Sequence, residues 1–354
     1  MIVKNEKGVI LRCLESVWPL IDTYVIVDTG SKDGTQEIIR QFFKEKGLKG
    51  ELHDQKFIDF ETNRNQALEL AKGHGDYILF IDADEQLTFE EDFALPPLKE
   101  DSYLIECDRH SLIFYRRQLV KAALEWEWVG VLHETIEGKN PFSTAILPGV
   151  VNHVSLGGGA RLNNPMTLQL DAKILEEAIK KNPLDNRSIY YLAQIYRMLG
   201  KKELALKQFK RRIDHQDGSE EVYHSLLQIA QIKEESGKHL DQVYKAYAKA
   251  IDARPTRKEG YFYFARYLRR KNQLKQAYEI AKKGFELPET RDLLGVESKV
   301  YSYKMALEYA VIAHGIGKPE EARTVALNLL KQKKLPAEAR TLINSIWNPL
   351  GITG

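Results

Sequence analysis

The spacing of apolar and polar positions changes near residue 160. Before that point short apolar runs alternate with helix-period segments. Ile2-Val3 opens a strand, and Ile10, Leu14 and Val17 fall on one helical face. Residues 24–27 (YVIV) are β-rich and stop at the loop sequence Asp28-Thr29-Gly30-Ser31. Gly34-Thr35 leads into a helix to about Lys46, 61–71 is helical again, and 77–81 is a strand. Further strands are predicted at 102–108, 111–116 and 125–131. This alternation predicts an α/β N-terminal domain over residues 1–160, with a Rossmann-like, mostly parallel sheet covered on both faces.

After Asn163-Asn164-Pro165 the strand signals stop and helical periodicity runs to about residue 347. Gly200, Gly237 and Asn272 punctuate it, and Pro255 and Pro288 end successive units. Tyr190, Ala193 and Tyr196 before Gly200 return as Tyr263, Ala265 and Tyr267 before Asn272. These intervals resemble the ~34-residue tetratricopeptide period. Residues 161–354 are thus predicted to be an all-α tetratricopeptide-like domain of three to four helical hairpins, with a generic helical bundle as the alternative. Tyr223 and Tyr261 are candidates for exposed aromatics on concave faces.

Composition narrows the class. The chain has 354 residues, 43% apolar and 29% charged, with a formal net charge of +2. That length fits two domains, and the near-neutral balance gives no reason to expect a nucleic-acid partner. Cys13 and Cys107 sit in helix and strand patterns as small hydrophobes, which suits a reducing compartment. No apolar run approaches ~18 residues, and the N-terminus lacks a secretory apolar region. A cytoplasmic location without a transmembrane segment is expected.

The strand at 77–81 ends on Asp82, Asp84 and Glu85. Adjacent like charges repel unless something positive lies among them. Asp82 and Asp84, two apart on extended backbone, point the same way and can share one hard divalent cation, Mg²⁺ or Mn²⁺. A solvated turn in which Glu85 caps the next helix is the alternative. Three more polar segments end strands or open helices on the same edge: Val3-Lys4-Asn5-Glu6, Asp28 to Thr35, and Thr62-Asn63-Arg64-Asn65. In such sheets ligands bind beyond the carboxyl ends of the strands. Asp28 can accept from a base or ribose donor, Gly30 allows close backbone approach, and Arg64 can meet a phosphate or the acids.

In their order M-I-V-K-N-E, V-D-T-G-S-K-D-G-T, N-R-N-Q-A-L and I-D-A-D-E, these segments resemble the family-two, inverting glycosyltransferases of the GT-A fold. The D-T-G-S form followed by repeats is similar to the layout of sublancin-type peptide S-glycosyltransferases. The resemblance implies that Val3, Asn5, Glu6, Asp28, Gly30 and Arg64 line a nucleotide pocket. Thr29 stands where many relatives carry a second base-reading aspartate. It implies that Asp82 faces the ribose or a metal-bound water, and that Asp84 binds the metal. The implied reaction moves a hexose or N-acetylhexosamine from a nucleotide diphosphate sugar, a UDP-sugar in the first instance, to a protein, peptide or glycan acceptor.

A second dense stretch is "EWEWVGVLHETIE", residues 125–137. Trp126 and Trp128 share one strand face, either in the core or as a stacking wall for a sugar. His133-Glu134 resembles the V-H-E segment of the subfamily. Inverting transfer needs one base, for which Glu134 is the candidate and His133 the runner-up. In "VNHVSLGGGARLNNP" His153 matches a place where relatives keep a histidine, as a third metal ligand or diphosphate contact, and Arg161 is a further diphosphate contact. Gly157 to Gly159 suit a closing loop or a linker. The competing functions are a nucleotidyltransferase, disfavoured by the absence of a Gly-rich loop after the first strand, and a catalytically inactive tetratricopeptide adaptor. The repeats are expected to recruit the acceptor or to form a homodimer contact.

Overall fold

The strand β1 (Ile2–Val3) lies parallel to β2 (Tyr24–Asp28), and β2 parallel to β3 (Gly50–Asp54). The register pairs Val3 with Asp28 and Asp28 with Asp54, so three carboxyl ends finish level. These coordinates are a computed structural model, which describes residues 1–154, 165–215 and 217–347. Arg161 and Gly157 to Gly159 therefore lie outside the described residues.

Helix α1 (Ile10–Val17) buries the predicted face of Ile10, Leu14 and Val17, together with Cys13. Helix α2 (Thr35–Lys46) adds Ile39, Phe42 and Phe43, and Tyr24 stacks on Phe43 at 3.6 Å. Fully burying each such side chain contributes about 1.5–3 kcal/mol. Helix α3 (Phe60–Ala71) is capped by Asp59, whose carboxylate accepts from the Thr62 N–H. It precedes β4 (Tyr77–Leu79).

The rest of the sheet structure is mostly antiparallel. β4 pairs with β7 (Leu112–Lys121), β7 with β6 (Ser102–Arg109), and β10 (Thr144–His153) lies between β6 and β5 (Gln86–Phe89). β6 and β10 run parallel. The β6–β7 turn is His110-Ser111, both left-handed (φ 52° and 81°), and β7 continues five residues past the predicted Arg116 end, to Lys121. β8 (Trp126–Val129) and β9 (Thr135–Gly138) form a separate antiparallel hairpin. Cys13 and Cys107 are buried and unbridged.

Helices α4 (Pro165–Lys181), α5 (Asn186–Met198) and α6 (Lys202–Asp214) begin the helical part. The compact units divide between Ala205 and Leu206, so α4 and α5 fall in the N-terminal unit, while the expected junction at 160/161 lies outside the described residues. The second unit contains α7 (Glu220–Glu235), α8 (Leu240–Ala253), α9 (Lys258–Arg270), α10 (Leu274–Glu286), α11 (Met305–Gly315), α12 (Pro319–Leu330) and α13 (Ala337–Trp347).

One turn recurs. Gly200, Gly237, Asn272 and Gly317 are all left-handed. In each case the next residue's N–H reaches back five residues: Lys201 to Tyr196, Lys238 to Lys233, Gln273 to Leu268, Lys318 to Ala313. This is the Schellman closure of a helix C-terminus. Small residues let the helices approach: a Cβ on Gly284 of α10 would lie 2.5 Å from the Cβ of Tyr261 on α9. Tyr223 and Tyr261 are buried, so neither is an exposed concave aromatic; the Tyr223 hydroxyl accepts from the Gly260 N–H at 3.1 Å.

Candidate functional site

The loops after β1 and β2 interlock through backbone and short polar side chains. Asn5 is left-handed (φ 56°), and its N–H donates to Ser31 Oγ while its side-chain oxygen accepts from the Lys32 N–H. The Glu6 N–H donates to Thr35 Oγ1, and the Lys7 N–H to Asp33 Oδ2. Asp28 is completely buried. Its Oδ1 accepts from the Gly30 and Ser31 N–H groups at 2.8 and 2.7 Å, and its Oδ2 has no partner. Asp28 thus shapes the loop with one oxygen and leaves the other unpartnered. Gly30 (φ 101°) supplies the turn that a side chain would strain. Val3 packs its side chain in the core. Its carbonyl is what serves the loop, by accepting from the Thr29 N–H and hydroxyl.

The acidic end of β4 is answered by arginines. Arg64 donates to Asp82 Oδ1 at 2.8 Å, lies 3.6 Å from Glu134 Oε2, and sits 4.8 Å over the Trp128 ring. Arg116 holds Glu85 with bonds of 2.6 and 2.7 Å and approaches Asp82 at 3.7 Å. Glu85 is buried and also accepts from Asn152 at 2.9 Å and from the Asp82 N–H. It therefore straps the strand end from inside and is not a solvated helix cap. Burial opposes ionisation of Asp82, but Arg64 and then Arg116 outweigh it and hold the carboxyl below its usual range. Asp84 goes the other way: burial and the Asp82 charge raise it. Its carbonyl accepts from Arg12, but among the described residues no other side chain donates to its carboxylate.

The N-R-N motif divides its labour. Asn63 is buried and fixes the preceding loop through the Ile58 N–H and the Lys56 carbonyl. Arg64 enters the acid cluster. Asn65 clips the backbone of β8, donating to the Trp128 carbonyl and accepting from its N–H at 2.9 and 2.8 Å. Glu61 accepts from the Gly130 N–H. Trp126 and Trp128 are core residues with Phe80, Leu68 and Ile136, so they form no open stacking wall.

Glu134 closes the β8–β9 loop, where Gly130 and His133 are left-handed (φ 115° and 55°). Its side chain is 8% exposed, which places the candidate base beside Arg64 and inside the cluster. His133, next to Glu134 in the chain, is exposed. Its ring stacks on Tyr191 of α5 at 3.9 Å, and its carbonyl accepts two bonds from Arg187.

The expected set of Asp82, Asp84 and His153 is not gathered as one ligand group. Among the described residues no three His, Cys, Asp or Glu side chains are placed to hold an ion together. The His153 ring bonds Thr88 Oγ1 at 2.8 Å instead. Four carboxylates (Asp82, Asp84, Glu85, Glu134) meet three guanidiniums (Arg12, Arg64, Arg116), so negative charge remains in excess around Asp84. The residues present fit a hard cation held by one protein carboxylate, with its other positions left to ligand oxygens and water. Arg116, Arg187 and Tyr191 carry no local signal in the sequence, whereas Asn65 stands inside a recognised motif.

Residues 1–125 match the family model of Glycosyl transferase family 2. A TPR repeat-containing protein of Synechococcus elongatus is 43% identical over 90 residues, covering 25% of this chain and 21% of that protein. The chain thus spans about a fifth of the curated relative it matches. Likenesses to solved structures are loose. A crystal structure of MamA matches at 12% identity and a TM-score of 0.37, over 45% of this chain and 85% of that one. A thermophilic TPR protein of Thermus thermophilus matches at 16% and 0.36, over 51% and 90%. Pseudomonas aeruginosa pilF matches at 10% and 0.40, over 51% and 75%. Residues 1–125 are thus similar to family 2 glycosyltransferases, and an all-helical part follows from Pro165.

Proposed function

From a family 2 glycosyltransferase region at residues 1–125 as premise, we propose that the protein moves a hexose or N-acetylhexosamine from a nucleoside diphosphate sugar, in the first instance a UDP-sugar, to a protein, peptide or glycan acceptor with inversion. The observation that carries this reading is Arg64, held between Asp82 and Glu134 at the end of β4. It joins the place for a diphosphate to the place for a base. The unpartnered, buried Asp28 Oδ2 is the acceptor offered to a base or ribose donor. Asp84 would hold Mn²⁺ or Mg²⁺, which when bound supplies Lewis-acid stabilisation of the leaving diphosphate.

Glu134 takes the proton of the acceptor nucleophile while that atom's lone pair forms the bond to the anomeric carbon. The bond from that carbon to the diphosphate oxygen breaks, and its electron pair leaves with the nucleoside diphosphate. Arg64, 3.6 Å from Glu134 Oε2, orients it. The repeats are assigned to the acceptor, since the nucleotide-side motifs all lie before residue 160.

The test is a panel of nucleotide sugars with purified protein, with Mn²⁺, with Mg²⁺ and with chelator. Nucleoside diphosphate release, loss of activity in chelator, loss on Asp84→Ala and an inverted product anomer by NMR are expected. A retained anomer, or Asp84→Ala turning over like wild type, overturns the reading.

A further inference from the structure

Glu134 owes its place to a loop that two left-handed residues would not keep unaided. Non-glycine residues such as His133 persist in that region when their surroundings over-determine it. On one side α3 supplies the hold, through Glu61 on the Gly130 N–H and Asn65 on the Trp128 backbone. On the other side the grip comes from α5. Arg187 places Nε and Nη2 at 3.0 and 2.8 Å from the His133 carbonyl oxygen. Tyr191, one turn further along α5, lies flat on the His133 ring, 3.9 Å away and tilted by 13°. The Arg187 guanidinium in turn sits 5.2 Å over Tyr191.

We propose that Arg187 and Tyr191 are positioning residues for Glu134, so that α5, the second helix of the helical part, aims the candidate base. The inference rests on the reading of Glu134 given above. Its physical basis is the planar peptide. The His133 carbonyl and the Glu134 Cα belong to one rigid unit, so a two-pronged donor on that oxygen fixes the plane from which the Glu134 side chain springs. Stacking on the His133 ring stops rotation at the other corner. The bonds from Arg187 to the His133 carbonyl lie at an exposed position, so they add little to global stability. What they control is the direction of Glu134 toward Arg64, where small displacements cost rate.

The test uses the full-length protein and the variants Arg187→Ala, Arg187→Lys, Tyr191→Ala and Tyr191→Phe. Water serves as acceptor, so UDP release from a UDP-sugar with Mn²⁺ reports the chemistry without a known natural acceptor. Both alanine variants are expected to lower kcat roughly 10- to 100-fold with donor KM and UDP affinity unchanged. Arg187→Lys and Tyr191→Phe should recover most of it. Amide hydrogen exchange at residues 131–135 should accelerate in the alanine variants while α5 and β2 keep wild-type rates. Wild-type kcat and wild-type exchange at 131–135 in both alanine variants overturn the inference. If the wild-type protein releases no nucleoside diphosphate from any nucleotide sugar, the functional reading fails instead. Exchange alone then decides the positioning role: acceleration upholds it and unchanged rates overturn it.

Discussion

Two arginine–carboxylate clusters, one in each compact unit, use the same chemistry to different ends. In the second unit Arg257 is 1% exposed, and its donors are well used. It bonds Glu259 at 2.8 and 2.9 Å, Asp292 at 3.1 Å, and the carbonyls of Leu294 and Gly295, above the Tyr223 ring. Arg254 takes Asp292 with both prongs, and Glu220 accepts from the Leu293 and Leu294 N–H groups. This network ties the 292–295 segment to α7 and α9. Around Arg64, by contrast, acids outnumber arginines, Asp84 lacks a side-chain donor among the described residues, and Asp28 keeps one oxygen idle. A saturated cluster is cement. A cluster left short of positive charge suits the cation proposed above.

Substitutions can break that contrast. Glu134→Gln should lower transfer about 10² to 10⁴-fold and leave the melting curve and UDP affinity nearly unchanged. A comparable loss of melting temperature would place Glu134 with the cement. Arg257→Leu should show the reverse, costing about 3–5 kcal/mol because Glu259 and Asp292 are left without their partner. Urea unfolding would expose the error if stability held. Tyr223→Phe strands the buried Gly260 N–H and should cost about 1–3 kcal/mol, with acceptor KM untouched; a raised KM would restore Tyr223 to the acceptor surface.

The smallest effects have opposite signs. The Asp292 carboxyl feels burial, but Arg254 and Arg257 outweigh it and hold it below its usual range. Its stabilisation is present above the ordinary aspartate pKa of ~3.9 and fades as pH falls through its folded value. Asp292→Asn should therefore destabilise at pH 7 and lose that effect in strong acid. Asp84 is raised by burial and by Asp82. Ionising it opposes folding increasingly as pH climbs from ~3.9 through its folded value. In chelator, Asp84→Asn should raise the melting temperature at pH 7 and do nothing near pH 3. Equal signs for the two variants at pH 7 would remove the distinction.

The sequence made the ends of elements legible better than their neighbours. The face of α1, the start of α2, and the turns at Gly200, Gly237 and Asn272 announce themselves, because apolar period and left-handed residues are local properties. β3 reads GELHD and is largely exposed, so it carries no apolar run. β10 hides behind Pro148-Gly149, where its pairing with β6 shifts register between Ile146 and Val151. In the site, Asp82, Arg64 and Glu134 were visible as motif residues and do converge. Arg116 was not, since its meeting with Glu85 depends on how β7 and the β4 end are brought together. Arg257-Lys258-Glu259 looks like solvated surface in one dimension, yet all three are buried.

The two native thiols have a practical consequence. Cys13 donates to the Asp82 carbonyl from a fully buried site, and burial pushes its thiol well up; Cys107, equally buried, is pushed up to about 11. Neither offers thiolate to an alkylating reagent near neutral pH, so the wild-type chain serves as its own cysteine-silent background. Lys201 and Lys238 are exposed and follow two of the recurring turns, whose closure uses only backbone atoms. Lys201→Cys and Lys238→Cys would each give one reactive handle, the first in the N-terminal unit and the second in the C-terminal unit. A doubly labelled chain could then report, molecule by molecule, whether the units move against each other when a nucleotide sugar binds.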